Sequence, residues 1–151
     1  MITAEFIQYI EGLQKSFSPD KPLTSPLDIT FLNGAKTVLK PWGFEIWLVH
    51  DAKLPYALKL LYLKAGTKTS LQYHRQKMEH HVVFSGEIIL HFQARQTDEL
   101  RKQKLGAGAI IKMEPGVIHR LEALTDTLFI EVSSQYLEDV VRIEDDYGRI
   151  V

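Results

Sequence analysis

Residues 66–86 read GTKTSLQYHRQKMEHHVVFSG, and the polar side chains in that stretch are spaced rather than scattered. Gly66 is followed after five residues by Gln72, then by His74 two positions on, by Glu79 after four more residues, and by Gly86 after a further six. On a strand, Gln72 and His74 point to the same face, as do Glu79, His81 and Val83 on the next stretch of chain. A second window, Gly116-Val117-Ile118-His119, adds another imidazole. Inside a barrel these residues can bring two imidazoles, one carboxylate and one amide oxygen to a single point. Such a set suits a divalent metal, because imidazole favours zinc, iron, nickel or copper and oxygen donors widen the choice to manganese. His74, Glu79 and His119 are strong donors and Gln72 a weaker neutral one. Positions remain for water or substrate, as a catalytic metal needs.

Around this stretch the chain is strand-like. Short β-branched and aromatic runs occupy 44–49, 57–63, 81–84, 88–92, 109–113, 128–132 and 140–143. Turn signals at Lys64-Ala65-Gly66, Ser85-Gly86-Glu87 and Glu114-Pro115-Gly116 separate several of them. Many short strands at this spacing indicate a sandwich or barrel. The charged segment 93–104 reads as a solvated hairpin loop. Upstream the period is helical: Phe6, Ile7, Ile10, Leu13 and Phe17 share one face, with Thr3 as N-cap. Pro19, Pro22 and Pro26 then make 18–34 an extended connector. Trp42 and Trp47 are expected to fill core space, and His50 and His91 to be surface or packing residues. Of His80 and His81, one is expected to face solvent and the other the cavity.

The chain has 151 residues, 45% of them hydrophobic, and 18 Lys+Arg against 19 Asp+Glu. That size suits one domain able to bury roughly 70% of its unfolded surface, and the composition excludes a largely disordered protein. With no cysteine there is no disulfide scaffold, thiolate zinc site or thiol nucleophile. The balanced charge argues against nucleic acid as a partner. No apolar run approaches the 18 or so residues that span a bilayer, and Met-Ile-Thr-Ala-Glu-Phe does not open a secretory signal. A cytoplasmic protein without a membrane partner is the expectation. No Ser-His-Asp set, phosphate-cradling glycine loop or dinucleotide fingerprint appears.

The two windows resemble the paired motifs of the cupin superfamily, with Gln72 where the first histidine usually stands. The resemblance narrows further. Lys40-Pro41-Trp42-Gly43, Ser70-Leu71-Gln72-Tyr73-His74, Glu79-His80, Ser85-Gly86, His119-Arg120-Leu121-Glu122 and the tail Glu144-Asp145-Asp146-Tyr147-Gly148-Arg149 look like the isomerase domain of type II phosphomannose isomerases. In that family the domain often follows a mannose-1-phosphate guanylyltransferase domain, which nothing here resembles. The family pattern departs at Arg75, Gln76 and Lys77, which replace two histidines and an arginine. His81 stands for a tryptophan, Glu114 begins the usual Pro-Ala-Gly segment, and Ala123 stands for an asparagine.

The resemblance implies an all-β fold, a cupin-type double-stranded antiparallel β-barrel, or jelly roll, to which the periodicity of the first residues adds an N-terminal helix. Residues 1–35 would form the helix and connector and 36–151 the barrel with its C-terminal tail. It further implies a divalent metal on Gln72, His74, Glu79 and His119, with zinc the first expectation and manganese, iron, cobalt or nickel the others. The implied reaction interconverts mannose 6-phosphate, or a related aldose phosphate, with fructose 6-phosphate. Arg149 and His81 are the expected catalytic residues, with Glu45 and Lys59 as further candidate bases. Lys40, Arg142 and Tyr147 are expected to bind the sugar phosphate, and Lys59 and Arg120 are further cations for phosphate. The acidic run at 144–146 is expected to be a solvated turn able to orient Arg149 by ion pairing. A non-catalytic sugar-phosphate-binding cupin and a metal-dependent oxygenase are the alternatives. A homodimer is expected, as is common for cupins.

Overall fold

Tyr56–Leu63 alternates residue by residue, with Ala57, Lys59, Leu61 and Leu63 buried on one face. A strand covered on one side requires that period of two. The same alternation buries Thr127, Phe129, Glu131 and Ser133 in Thr127–Ser134, and Glu79, His81 and Val83 in Glu79–Ser85. The computed structural model describes residues 35–94 and 98–150. Its strands are β1 (Lys36–Lys40), β2 (Gly43–Val49), β3 (Tyr56–Leu63), β4 (Leu71–Tyr73), β5 (Glu79–Ser85), β6 (Glu87–Gln93), β7 (Arg101–Gly106), β8 (Ile110–Met113), β9 (Ile118–Ala123), β10 (Thr127–Ser134) and β11 (Val141–Glu144). The expected N-terminal helix lies outside the described residues.

Two antiparallel sheets result, in the orders β1-β2-β3-β10-β5-β8 and β11-β4-β9-β6-β7. Apart from β1–β2, β2–β3 and β6–β7, successive strands alternate between the sheets, which is the jelly-roll path. Each of the seven expected runs overlaps a strand. The expected loop at 93–104 is corrected: Gln93 closes β6, and 101–104 belong to β7, paired with β6 from Arg101↔Phe92 to Gly106↔Glu87. As an edge strand with four exposed residues in succession, β7 carries no apolar alternation to betray it.

Core and cavity are successive rows of one sheet face. Leu61, Phe129 and Val83 are cross-strand partners in the first row and form the apolar core with Leu63, Ile88 and Leu121. The next inward row runs Trp47–Lys59–Glu131–His81, and the one beyond it Ala57–Ser133–Glu79. Across the sandwich, Arg142, Gln72 and His119 make a matching row on β11, β4 and β9. Polar rows on the two sheets therefore face each other at one end of the sandwich. Trp42 joins the core as expected, at 4% exposure. Two glycines close the strand turns. A Cβ on Gly43 (φ +152°) would stand 2.0 Å from the Tyr62 carbonyl oxygen, and one on Gly86 (φ +88°) 2.4 Å from that of Asp126.

Candidate metal centre

The two windows read from the sequence are corners between the sheets, and they are clasped together. Glu114-Pro115-Gly116-Val117 turns with Gly116 at φ +85° and the Val117 N–H donating to the Glu114 carbonyl. That turn is type II in its residue pattern, with proline second and glycine third. The Gly116 N–H then donates to the His74 carbonyl at 2.8 Å, so the corner after β4 sits beside the start of β9. Gln72 pairs with His119 in the β4–β9 register, and Glu79 opens β5 on the opposite sheet.

These elements bring His74, Glu79 and His119 together, all buried. His74 Nε2 lies 3.3 Å from Glu79 Oε1, and His119 Nε2 lies 3.6 Å from Oε2 of the same carboxylate. Each imidazole is oriented from behind: Nδ1 of His74 meets the Asp139 carbonyl, and Nδ1 of His119 meets the Val117 carbonyl at 3.0 Å. A carbonyl can only accept, so Nδ1 carries the hydrogen and donates it, which leaves the Nε2 lone pair facing Glu79. The Asp139 carboxylate also accepts the backbone N–H groups of Arg75, Gln76 and Lys77, fixing the loop between β4 and β5. Burial would raise that carboxyl, but the three N–H groups and His74 hold it below its usual value.

The donor set fits a divalent metal. Nε2 of His74 is buried without a hydrogen bond, an arrangement that is costly unless something accepts its lone pair. Burial pushes the His119 imidazole down to about 4, against the opposing pull of Glu79, so it is a neutral donor at pH 7. Burial alone would raise the Glu79 carboxyl. The positive charge beside it, with Lys77 Nζ 2.5 Å away, outweighs burial and holds it well below the carboxylate range. Gln72 lines the same cavity, its Oε1 accepting the Ser70 hydroxyl at 2.6 Å.

The cavity measures about 110 Å3. Its wall contains Lys40, His81, Arg142 and Arg149 alongside the four ligand candidates. Both ring nitrogens of His81 are buried without a hydrogen bond, with Nε2 3.7 Å from Glu79 Oε2 and 3.6 Å from Glu131 Oε2. Arg142 Nε is likewise unpartnered. Arg149 is held by Asp145, through its backbone N–H and through Nε at 3.1 Å, so the acidic run does orient it. Arg120 stands apart, bonding the Glu144 carbonyl and Asp146 rather than the cavity. Tyr147 is not brought to the cavity wall: its ring packs on the core, its hydroxyl accepts the Lys68 N–H at 3.4 Å, and the Arg149 guanidinium lies 5.3 Å from its centroid. It braces Arg149.

Other expectations change in detail. Trp47 lines the cavity instead of the core, donating Nε1–H to Glu45 at 2.7 Å, with the Lys36 and Lys59 ammonium groups 4.1 and 4.8 Å from its ring. His91 is buried and meets Glu122 at 2.6 Å, and His50 is exposed beside Trp47. Lys77 and Glu131 are the site residues that the sequence reading passed over. Lys77 Nζ lies 2.5 Å from Glu79 Oε1 and 2.9 Å from Glu131 Oε1, and Lys59 Nζ lies 3.5 Å from the same Glu131 oxygen. Burial would lower the Lys77 ammonium, but the two carboxylates raise it above its ordinary value. Glu131 was detectable, since it shares the parity of Phe129 in an apolar strand. Lys77, in a polar loop, gave no such signal.

Comparison with known proteins agrees with this fold. Residues 30–145 match the family described as mannose-6-phosphate isomerase C-terminal. Mannose-1-phosphate guanylyltransferase ManC of Salmonella typhimurium is 37% identical over 120 residues, covering 76% of this chain and 23% of its own. The xanthan biosynthesis protein XanB of Xanthomonas campestris is 33% identical over 119 residues, with 76% and 24% covered. The chain thus spans about a quarter of the length of these curated relatives. Among solved structures, the capsular polysaccharide assembling protein CapF of Staphylococcus aureus superposes with TM-score 0.64 at 17% identity, over 74% of this chain and 32% of that one. Oxalate decarboxylase of Lactobacillus farciminis, in a formate complex, superposes with TM-score 0.66 at 18% identity, over 82% and 38%. Those two likenesses concern the fold, which is that of the cupins. Family match, sandwich and paired corners agree, and the chain belongs to the mannose-6-phosphate isomerase C-terminal family of cupin domains.

Proposed function

We propose that this chain is a metal-dependent sugar-phosphate isomerase, interconverting mannose 6-phosphate or a related aldose phosphate with fructose 6-phosphate. The observation that carries the reading is a buried His74–Glu79–His119 set opening into a cavity whose wall also presents Arg142 and Arg149, in a chain that matches this family. Gln72, His74, Glu79 and His119 would hold the ion. When bound, a divalent metal, zinc first, polarises the substrate carbonyl and stabilises the oxyanion that develops as the proton moves.

The chain's own residues supply the rest. Arg142, whose Nε has no partner, and Arg149, aimed by Asp145, present guanidinium forks that match phosphate oxygens. His81 Nε2 takes the proton from C2 of the aldose and returns it to C1, while the O2 hydroxyl proton passes to the neighbouring O1, so that C1 becomes the alcohol and C2 the ketone. The Glu79 and Glu131 carboxylates, 3.7 and 3.6 Å away, stabilise the imidazolium between those two steps. Lys40 and Lys59 offset the charge of Glu45 and Glu131.

The test is a coupled assay of mannose 6-phosphate conversion, on protein stripped of metal and refilled with zinc, manganese, cobalt, nickel or iron. Turnover should require metal, vanish in His119→Ala, and fall about 100-fold or more in His81→Gln with metal retained. Metal bound without turnover in any loading would sink the isomerase and leave the two alternatives, a sugar-phosphate-binding cupin or another metal-dependent enzyme such as an oxygenase.

A further inference from the structure

Within the metal-centre reading, on which this inference rests, Glu79 is the single carboxylate of the His74–Glu79–His119 set. It is already engaged. Lys77 leaves the corner between β4 and β5 with its neighbours Gln76 and Met78 exposed, yet only 4% of its own side chain reaches solvent. Its ammonium bridges two carboxylates, 2.5 Å from Glu79 Oε1 and 2.9 Å from Glu131 Oε1. The Glu79 oxygen it touches is the one facing His74 Nε2 at 3.3 Å. An ion seated between the imidazoles would therefore share that oxygen with a fixed positive charge, in a buried site where water screens little.

We propose that Lys77 is a built-in rival of the metal for Glu79, one that lowers the affinity of the centre and keeps its ion exchangeable. Glu131 is the counterpart that makes the rivalry reversible. It lies outside the three-residue ligand set, one strand from Glu79 in the β5–β10 pairing, and gives the ammonium a second carboxylate to hold when the metal takes the first. The loop fixes where Lys77 starts. Its backbone N–H is pinned at 3.0 Å to the Asp139 carboxylate, the same residue whose carbonyl orients His74. Ligand and rival thus hang from one bracket.

Titration of the whole chain with cobalt(II), followed by the visible ligand-field absorption and calibrated against a chelator, reads the affinity without reference to turnover. Lys77→Met should bind cobalt about tenfold tighter or more, whereas Lys77→Arg, which keeps the charge, should stay within about threefold of the parent. Glu131→Gln removes the second carboxylate, leaves Lys77 on Glu79 alone, and should weaken binding. The double variant Lys77→Met/Glu131→Gln preserves the net charge of the cavity and should still bind tighter than the parent. It carries the test if Lys77→Met, in which Glu79 loses its ammonium and Glu131 keeps only Lys59, does not fold. Cobalt held by the parent and lost in His119→Ala, but bound no tighter by either Lys77→Met variant, overturns the rivalry and spares the metal centre. No cobalt in the parent or in any variant overturns both.

Discussion

His74 and His119 are presented to the centre in a single tautomer because a backbone carbonyl stands behind each Nδ1. For His74 that carbonyl belongs to Asp139, whose carboxylate also gathers three N–H groups of the preceding loop. Removing the carboxylate leaves the carbonyl but frees the loop that aims both His74 and Lys77. Asp139→Ala should therefore lose about tenfold in metal affinity, as outer-shell changes do, measured by competition with a chelator; an unchanged affinity would show that the bracket is dispensable. The ligand candidates were legible because spacing at the corners of a jelly roll is a backbone property, fixed by where strands turn. Their surroundings were less so. Lys77 is polar in a polar loop, and only the fold reveals that its side chain turns inward. Tyr147 shares the family-like tail with Arg149, but only Arg149 reaches the cavity wall.

Strands in this molecule were readable in proportion to the burial of one face. β3 and β10 alternate cleanly, while β9 carries His119, Arg120 and Glu122 and hid inside the second motif, and β1 and β7 are edges with little apolar content. Glycine positions are a sharper element-scale signal. Gly43→Ala meets the Tyr62 carbonyl at 2.0 Å where β2 starts its pairing with β3, and should cost at least about 3 kcal/mol. Gly116→Ala has open space and suffers only the positive φ, so about 1–2 kcal/mol is expected. Urea unfolding of the two variants compares them, and equal losses would contradict the steric account. The tail after β11 should respond to acid instead. Arg149 holds the Asp145 carboxyl down to about 2 against an ordinary value of 3.8, so its contribution is complete above that ordinary value and fades as pH falls towards 2. Protection of the Tyr147 and Arg149 amides, whose N–H groups donate to Asp145, taken as the exchange rate relative to the intrinsic rate at each pH, should fall across that window in the parent. In Asp145→Asn the protection should already be lower at pH 7 and indifferent to the fall.

At the scale of the whole sandwich, the centre draws on both sheets: Gln72 and His119 from one, Glu79 from the other, and His74 from a corner between them. The inward row Lys59–Glu131–His81 lies directly beside Leu61–Phe129–Val83, so charged groups occupy positions that the neighbouring row fills with core. Buried ion pairs stabilise little beyond their own desolvation, so the charged rows at that end of the sandwich add little net stability of their own. A ligand that binds only the folded chain adds its free energy to this balance. At 100 times its dissociation constant, an ion on the four ligands contributes about 2.7 kcal/mol. For a chain of this length that corresponds to a rise in Tm of about 5–10 °C. The rise should follow metal concentration logarithmically and vanish in His119→Ala. It should be larger in Lys77→Met than in the parent at equal metal, because the rival charge is gone. An equal rise in His119→Ala would place the stabilising ion elsewhere on the molecule and separate the His74–Glu79–His119 set from the stability of the fold.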